Sequence, residues 1–259
     1  MLNLVISDTH CGSDCGLTPA QVKLERGRSI SCKGDKYLEW MWDSFLDMQK
    51  RFHALRKNEP YVLTINGDII EGIHHRSDEV VAAKFSEHLE IAKEALGPLV
   101  KGAQKVYVTI GTQCHTQDFE KVFVKEMGIK QEARHIQSYY VHGCLVEAIH
   151  HMPVTSRKHL EASALSIIMA NRISNLVRAK HAIPRVFIRG HRHITGDYCD
   201  GDGMILCCGP WQGLTRHGHK VVPDSISRPS AYVLDWRGRA SGDLPTRHQF
   251  VYNPPEHIL

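Results

Sequence analysis

Val186-Phe187-Ile188 runs into Arg189-Gly190-His191-Arg192-His193, and the rest of the chain is organised around that junction. A short β-branched and aromatic run that ends at a glycine reads as a buried strand delivering its C-terminal loop to a site. His191 and His193 stand two apart, so an extended backbone points both rings the same way, and Gly190 permits a sharp turn in front of them. Neutral imidazole is the commonest side-chain metal ligand, so a pair on one face suggests metal binding. In a chain with 18 histidines the same spacing also arises by chance, and taken alone the pair leaves the two readings level.

Four other apolar runs end in the same way. Leu2-Asn3-Leu4-Val5-Ile6 leads to Ser7-Asp8-Thr9-His10, and Tyr61-Val62-Leu63-Thr64-Ile65 leads to Asn66-Gly67-Asp68. Val106-Tyr107-Val108-Thr109-Ile110 leads to Gly111-Thr112-Gln113-Cys114-His115, and Cys144-Leu145-Val146-Glu147-Ala148-Ile149 leads to His150-His151. Open α/β sheets bind ligands beyond the carboxyl ends of their strands, so all of these tips can meet at one place.

In this order the tips resemble the calcineurin-like metallophosphoesterase superfamily, whose signature is Asp-x-His, Gly-Asp, Gly-Asn-His, a lone His after a strand, and Gly-His-x-His. Asp8-Thr9-His10, Gly67-Asp68, His150 or His151, and Gly190-His191-Arg192-His193 match in type and order. The third block departs: Gly111-Thr112-Gln113-Cys114-His115 lacks the Asn, and its His comes two positions late. That longer form resembles a divergent branch frequent in bacteriophage genomes.

The resemblance implies two divalent cations, with Asp8, His10, Asp68 and His193 on one and Asp68 bridging to a second held by His150 and His191. Asp and His ligands together suit manganese first, with iron, zinc or nickel also compatible. Two such ions ~3.5–4 Å apart clamp a phosphate and acidify a bridging water, so no protein nucleophile is needed. Gln113 or Thr112 is expected near the metals in place of the absent Asn, and His115 near the substrate as a general acid, with the reverse assignment equally open. Between His150 and His151, which alternate across a strand, His150 is chosen because it directly follows the run. Ser156, Arg157 and Arg216 are candidates for phosphate contact, since guanidinium binds phosphate in a bidentate manner. Taken singly, each reads better as a surface residue.

Length and composition agree with one globular domain. A chain of 259 residues, 42% apolar and 23% charged, can bury one substantial core, and residues 1–259 are expected to form a single domain. A formal charge of +4 permits an anionic substrate without marking a nucleic-acid binder. No apolar run approaches the ~20 residues of a membrane span, and the chain opens directly on a strand, so no membrane association and a cytoplasmic location are expected. The eight cysteines are scattered without Cys-x-x-Cys pairs, which suits a reducing compartment. Cys11 and Cys15 have a zinc-compatible spacing but no second pair, and read better as loop thiols.

The remaining pattern alternates strand and helix. Helical spacing predicts helices over 35–57, capped by Asp35, over 77–96, closed by Gly97-Pro98, over 116–127 and over 163–180. Residues 11–34 read as a polar loop, and His74, His75 and Arg76 as a solvated one. Strands at 136–141 and 144–149 flank His142-Gly143, a two-residue hairpin signal. Strands over 195–199 and 204–208 flank a second turn, and later ones are expected at 231–236 and 249–252. The fold class expected is α/β, a two-sheet β-sandwich with flanking helices. The leading function is hydrolysis of a phosphoester, monoester or diester, with a DNA or RNA nuclease as the runner-up. From another class comes a catalytically silent, metal-stabilised scaffold for a partner protein. Retention of Asp8, His10, Asp68, His191 and His193 together argues against the scaffold, which has no chemical need for the full set.

Overall fold

Leu2, Leu4 and Ile6 alternate with Asn3 and Val5 along the first strand, yet all five are buried, as a central strand covered on both faces requires. The computed structural model describes residues 1–73, 79–116, 118–153, 161–221 and 225–256. In chain order come β1 (Leu2–Ile6), a small hairpin of β2 (Val22–Lys23) and β3 (Ser29–Ile30), α1 (Lys36–Arg56), β4 (Tyr61–Asn66), α2 (Phe85–Gly102) and β5 (Lys105–Thr109). They are followed by α3 (Gln113–Thr116), α4 (Phe119–Glu126), β6 (Ile136–Val141), β7 (Cys144–Ile149), α5 (Glu161–Arg178) and β8 (Val186–Arg189). The chain then adds β9 (Gly196–Cys199), β10 (Met204–Cys207), α6 (Arg216–Val221), β11 (Ser230–Asp235) and β12 (Thr246–Val251).

Two five-stranded sheets carry the fold, in the orders β12-β11-β1-β4-β5 and β6-β7-β8-β10-β9. β1, β4 and β5 run parallel, as do β7, β8 and β10, so β1, β4 and β5 share one direction and β7 and β8 another set of loop tips. Leu2, Leu4 and Ile6 share a core with Phe45, Met48 and Phe52 of α1 and Leu89 and Leu96 of α2. On the other face, Val5 meets Val146, Ile188, Leu206 and Tyr232 in the layer between the sheets. Leu165 and Met169 of α5 close the far side over Phe187 and Ile205. The architecture is the two-sheet α/β sandwich with flanking helices that the sequence suggests. Among the described residues no helix is long and apolar enough to cross a membrane.

Local signals place several elements well. Asp35 Oδ1 accepts from the amides of Tyr37 at 2.9 Å and Leu38 at 3.1 Å, capping α1. His142 and Gly143 both take left-handed φ, 49° and 75°, as a two-residue hairpin turn demands. Three expectations need correction. The helix placed over 77–96 starts at Phe85 and runs through Gly97-Pro98 to Gly102; residues 77 and 78 lie outside the described residues. An interior proline costs about 3 kcal/mol, but Leu99 and Val100 beyond it are buried, each contributing about 1.5–3 kcal/mol. The stretch 116–127 divides into α3 and α4, with Asp118 left-handed between them. β12 begins at Thr246, earlier than its apolar pattern, because β11 pairs with it residue by residue from Ser230 to Asp235. The polar loop at 11–34 also contains the β2–β3 hairpin, too short to leave a pattern.

Candidate metal centre

The chain leaves β1 at Ser7, and its next turn is tied to the turn after β4. Asp8 N donates to the Gly67 carbonyl at 3.1 Å, His10 N to Asp68 at 3.0 Å, and Cys11 N to Ile69 at 2.9 Å. Gly190 N donates to the His150 carbonyl at 3.0 Å, which ties the β7 and β8 tips in the same way. Asp8, His10, Asp68, His191 and His193 all have left-handed φ, between 41° and 68°. Such conformations cost non-glycine residues of order 1–3 kcal/mol each and concentrate at functional sites. The close approach of the loops needs glycine at two points. A Cβ at Gly111 would stand 2.2 Å from Asp68 Oδ1, and one at Gly190 would stand 2.3 Å from Ser7 Oγ.

These turns bring together two groups of potential ligands, and His10, Glu71 and His115 form a third beside them. In the first, Asp8, His10 and His193 offer atoms all within 4.8 Å of one another. His10 Nε2 lies 3.2 Å from His193 Nε2, and Asp8 Oδ1 lies 3.5 Å from His193 Nε2 and 4.0 Å from His10 Nε2. In the second, Asp68, His150 and His191 converge within the same limit. Asp68 Oδ2 is 3.0 Å from His150 Nε2 and 4.0 Å from His10 Nε2, so one carboxylate oxygen faces both groups. In two of the four histidines the other ring nitrogen is already engaged. His150 Nδ1 donates to the Asn66 carbonyl at 2.7 Å, and His10 Nδ1 to Glu71 Oε2 at 2.7 Å. A backbone carbonyl or carboxylate on the far nitrogen is the usual support of a ligating histidine. The donor set therefore fits a pair of divalent cations.

Electrostatics agree. Burial alone would raise the Asp8 carboxyl, but His150 and His193 outweigh it and hold it down at about 2. Burial likewise opposes the ionised Asp68, yet His150 and His10 pull it well below the usual carboxylate range. His150 is raised to about 10, since Asp68 and Asp8 overcome its desolvation. His10 is raised too, its burial overcome chiefly by Glu71. Without metal, the raised His150 ring supplies positive charge beside the two buried carboxylates.

Asp8, His10, Asp68, His150, His191 and His193 thus lie together, and His115 sits beside them. Its ring meets His10 edge-on at 4.9 Å, and its Nδ1 is 3.1 Å from the Glu71 carbonyl. His151 is exposed, with its ring 5.1 Å from His150 and 4.8 Å from His191. Gln113 does not join the ligands: it is exposed at the start of α3, and Thr112 faces Asp68 instead. A strand leaving the sheet at Gly111 brings the next residue over Asp68, and the helical turn that follows carries Gln113 outward. Arg216 is exposed, its amide donates to Glu79 Oε1 at 2.7 Å, and its charge acts on Asp14. Arg157, Ser156, His74, His75 and Arg76 lie outside the described residues. Cys11 and Cys15 belong to none of the metal-capable groups found among the described residues, and burial raises both thiols to about 12.

Sequence reasoning overlooked Glu71 and Gln212. Glu71 is buried, receives His10 on Oε2, and has Oε1 3.7 Å from His115 Nδ1. Gln212 Nε2 donates to Glu71 Oε2 at 2.8 Å. The spacing of Glu71 three residues after Asp68 was a visible signal. Nothing near Gln212 announced its partner.

No protein-family profile matches this chain, and no curated protein matches it. Solved structures resemble it. An archaeal phosphodiesterase aligns over 97% of this chain and 99% of its own, at 12% identity and a TM-score of 0.49. Vps29 from Entamoeba histolytica, in complex with zinc, aligns over 98% and 100%, at 12% identity and 0.44. A predicted phosphoesterase from Streptococcus pneumoniae TIGR4 aligns over 96% and 97%, at 11% identity and 0.38. Likenesses at this level say nothing of activity, which has to be argued from the side chains.

Proposed function

We propose that this protein is a metal-dependent phosphoesterase with two divalent cations, manganese first among them. The observation that carries the reading is Asp68 Oδ2, which faces His150 Nε2 at 3.0 Å and His10 Nε2 at 4.0 Å, the position of a shared carboxylate. Asp8, His10, Asp68 and His193 would hold one ion, and Asp68, His150 and His191 the other. When bound, such a pair supplies Lewis acidity toward a phosphoryl group and an activated water. The protein residues do the rest. Glu71 and the Asn66 carbonyl fix which nitrogen His10 and His150 present. His115 Nδ1 donates to the Glu71 carbonyl, so the doubly protonated ring would give its Nε2 proton to the departing oxygen. Asp68 needs no proton role. The cytoplasm suits the seven cysteines that stand as free thiols among the described residues.

The test is a turnover panel with added Mn(II): aryl phosphomonoester, aryl phosphodiester, cyclic nucleotide, and single- and double-stranded DNA. Diester cleavage above background, lost in Asp68→Asn, is expected. Equal hydrolysis by wild type and Asp68→Asn would overturn the assignment. Preferential cleavage of DNA, with strong salt dependence, would identify the substrate as polynucleotide.

A further inference from the structure

Thr112 follows Gly111 just beyond the end of β5, and its amide and hydroxyl both turn on Asp68. Its amide donates to Asp68 Oδ1 at 2.5 Å, and its hydroxyl reaches Oδ2 at 3.0 Å. The same hydroxyl oxygen lies 3.0 Å from His191 Nδ1 and 3.4 Å from His150 Nε2. Asp68, His150 and His191 are the three side chains of the second ligand group, so this oxygen sits within hydrogen-bond distance of every member. Two features hold it there. The amide contact pins the backbone, and β-branching restricts the side-chain rotamer. The absence of a Cβ at Gly111 allows the approach, since one would stand 2.2 Å from Asp68 Oδ1.

We infer that the Thr112 hydroxyl is a neutral oxygen ligand of the second ion, and that this ion is consequently held more weakly than the first. The inference rests on the dinuclear reading above. Both sites share Asp68; to it the first adds Asp8 and two imidazoles, whereas the second adds two imidazoles and an uncharged hydroxyl. A hydroxyl offers a cation lone pairs but no charge, so the second site gains geometry from Thr112 and little electrostatic attraction. Sequential loading follows: the first ion binds tightly, and the second leaves first on dilution or chelation.

The metal-free full-length chain is titrated with Mn(II) by calorimetry and low-temperature electron paramagnetic resonance. Wild type should bind two ions in separable steps, the second producing the signal of an exchange-coupled pair. Thr112→Val keeps the shape and the amide but removes the oxygen. It should keep the first step and weaken the second on the order of tenfold or more, while Thr112→Ser restores it. Thr112→Cys loaded with Co(II) should show a thiolate-to-cobalt absorption that wild type lacks. A second step unchanged in Thr112→Val overturns the inference. So does loss of that step without the cobalt band, which would mean that the hydroxyl acts only by steadying Asp68. The first step serves as the check on folding, with Thr112→Ala in place of valine if that step is lost. Failure of wild type to bind any ion would instead overturn the dinuclear reading itself.

Discussion

His10 Nε2 and His193 Nε2 face one another at 3.2 Å, although their residues are separated by most of the chain. With His10 Nδ1 committed to Glu71, a neutral His10 presents its Nε2 lone pair to His193, and a hydrogen on either Nε2 or a cation between the rings satisfies the contact. Glu71 overcomes the desolvation of His10 and raises that ring, which favours a proton there in the metal-free protein. A metal cation would take over the same place.

Ion binding should therefore release protons. His150 is raised to about 10, so its ring is charged at neutral pH in the metal-free state, and His10 is shifted in the same direction. Ligation requires them neutral. Apparent affinity for Mn(II) should rise with pH from neutrality toward about 10, at most about tenfold per pH unit for each proton released. Calorimetry in buffers of different ionisation enthalpy measures the release, and zero release at pH 7 would contradict the assignment of these rings.

The same charges set the stability of the metal-free protein. The His150 contribution is complete below its ordinary value of 6.5 and is lost as pH rises through about 10. That of Asp8 is complete above its ordinary 3.8 and is lost as pH falls through about 2. Urea midpoints without metal should accordingly decline on the alkaline side, and saturating Mn(II) should remove that decline. A metal-free midpoint level from pH 6 to 10 would count against it.

Glu71→Gln should weaken metal binding by roughly 10–100-fold, the usual consequence of losing a carboxylate behind a ligating histidine. The amide keeps the volume beside Gln212 and His115, so the fold should survive. Equilibrium dialysis against Mn(II) reads the affinity and thermal unfolding checks the fold. Unchanged affinity would reduce Glu71 to a packing residue.

Behind the β8 loop, Glu147 is buried between Arg189, 3.1 Å away and itself buried, and Arg172 of α5. Glu147→Ala would strand the Arg189 charge at the root of the Gly190–His193 turn. Breaking a buried pair in this way costs about 3–5 kcal/mol. Urea denaturation should show a loss of that size, whereas replacing Arg172, which is partly solvated, should cost less. A change under 1 kcal/mol in Glu147→Ala would mean that water reaches Arg189.

Reading along the chain was enough to find the two-sheet architecture, the helix capped by Asp35, and the strand tips that carry Asp8, His10, Asp68, His150, His191 and His193. These signals are local: an apolar run buried on two faces, a turn, and a metal-binding side chain within a few residues. Tertiary structure alone decided what meets across the loops. Gln212 reaches Glu71 over 141 positions, and Thr112 rather than Gln113 faces Asp68 because the chain turns outward after Gly111. α2 runs through Pro98 because burial of Leu99 and Val100 outweighs the lost hydrogen bond, a balance no stretch of sequence contains. Side-chain chemistry is written residue by residue, whereas which atom of Asp68 faces which ring depends on how closely the separate turns approach one another.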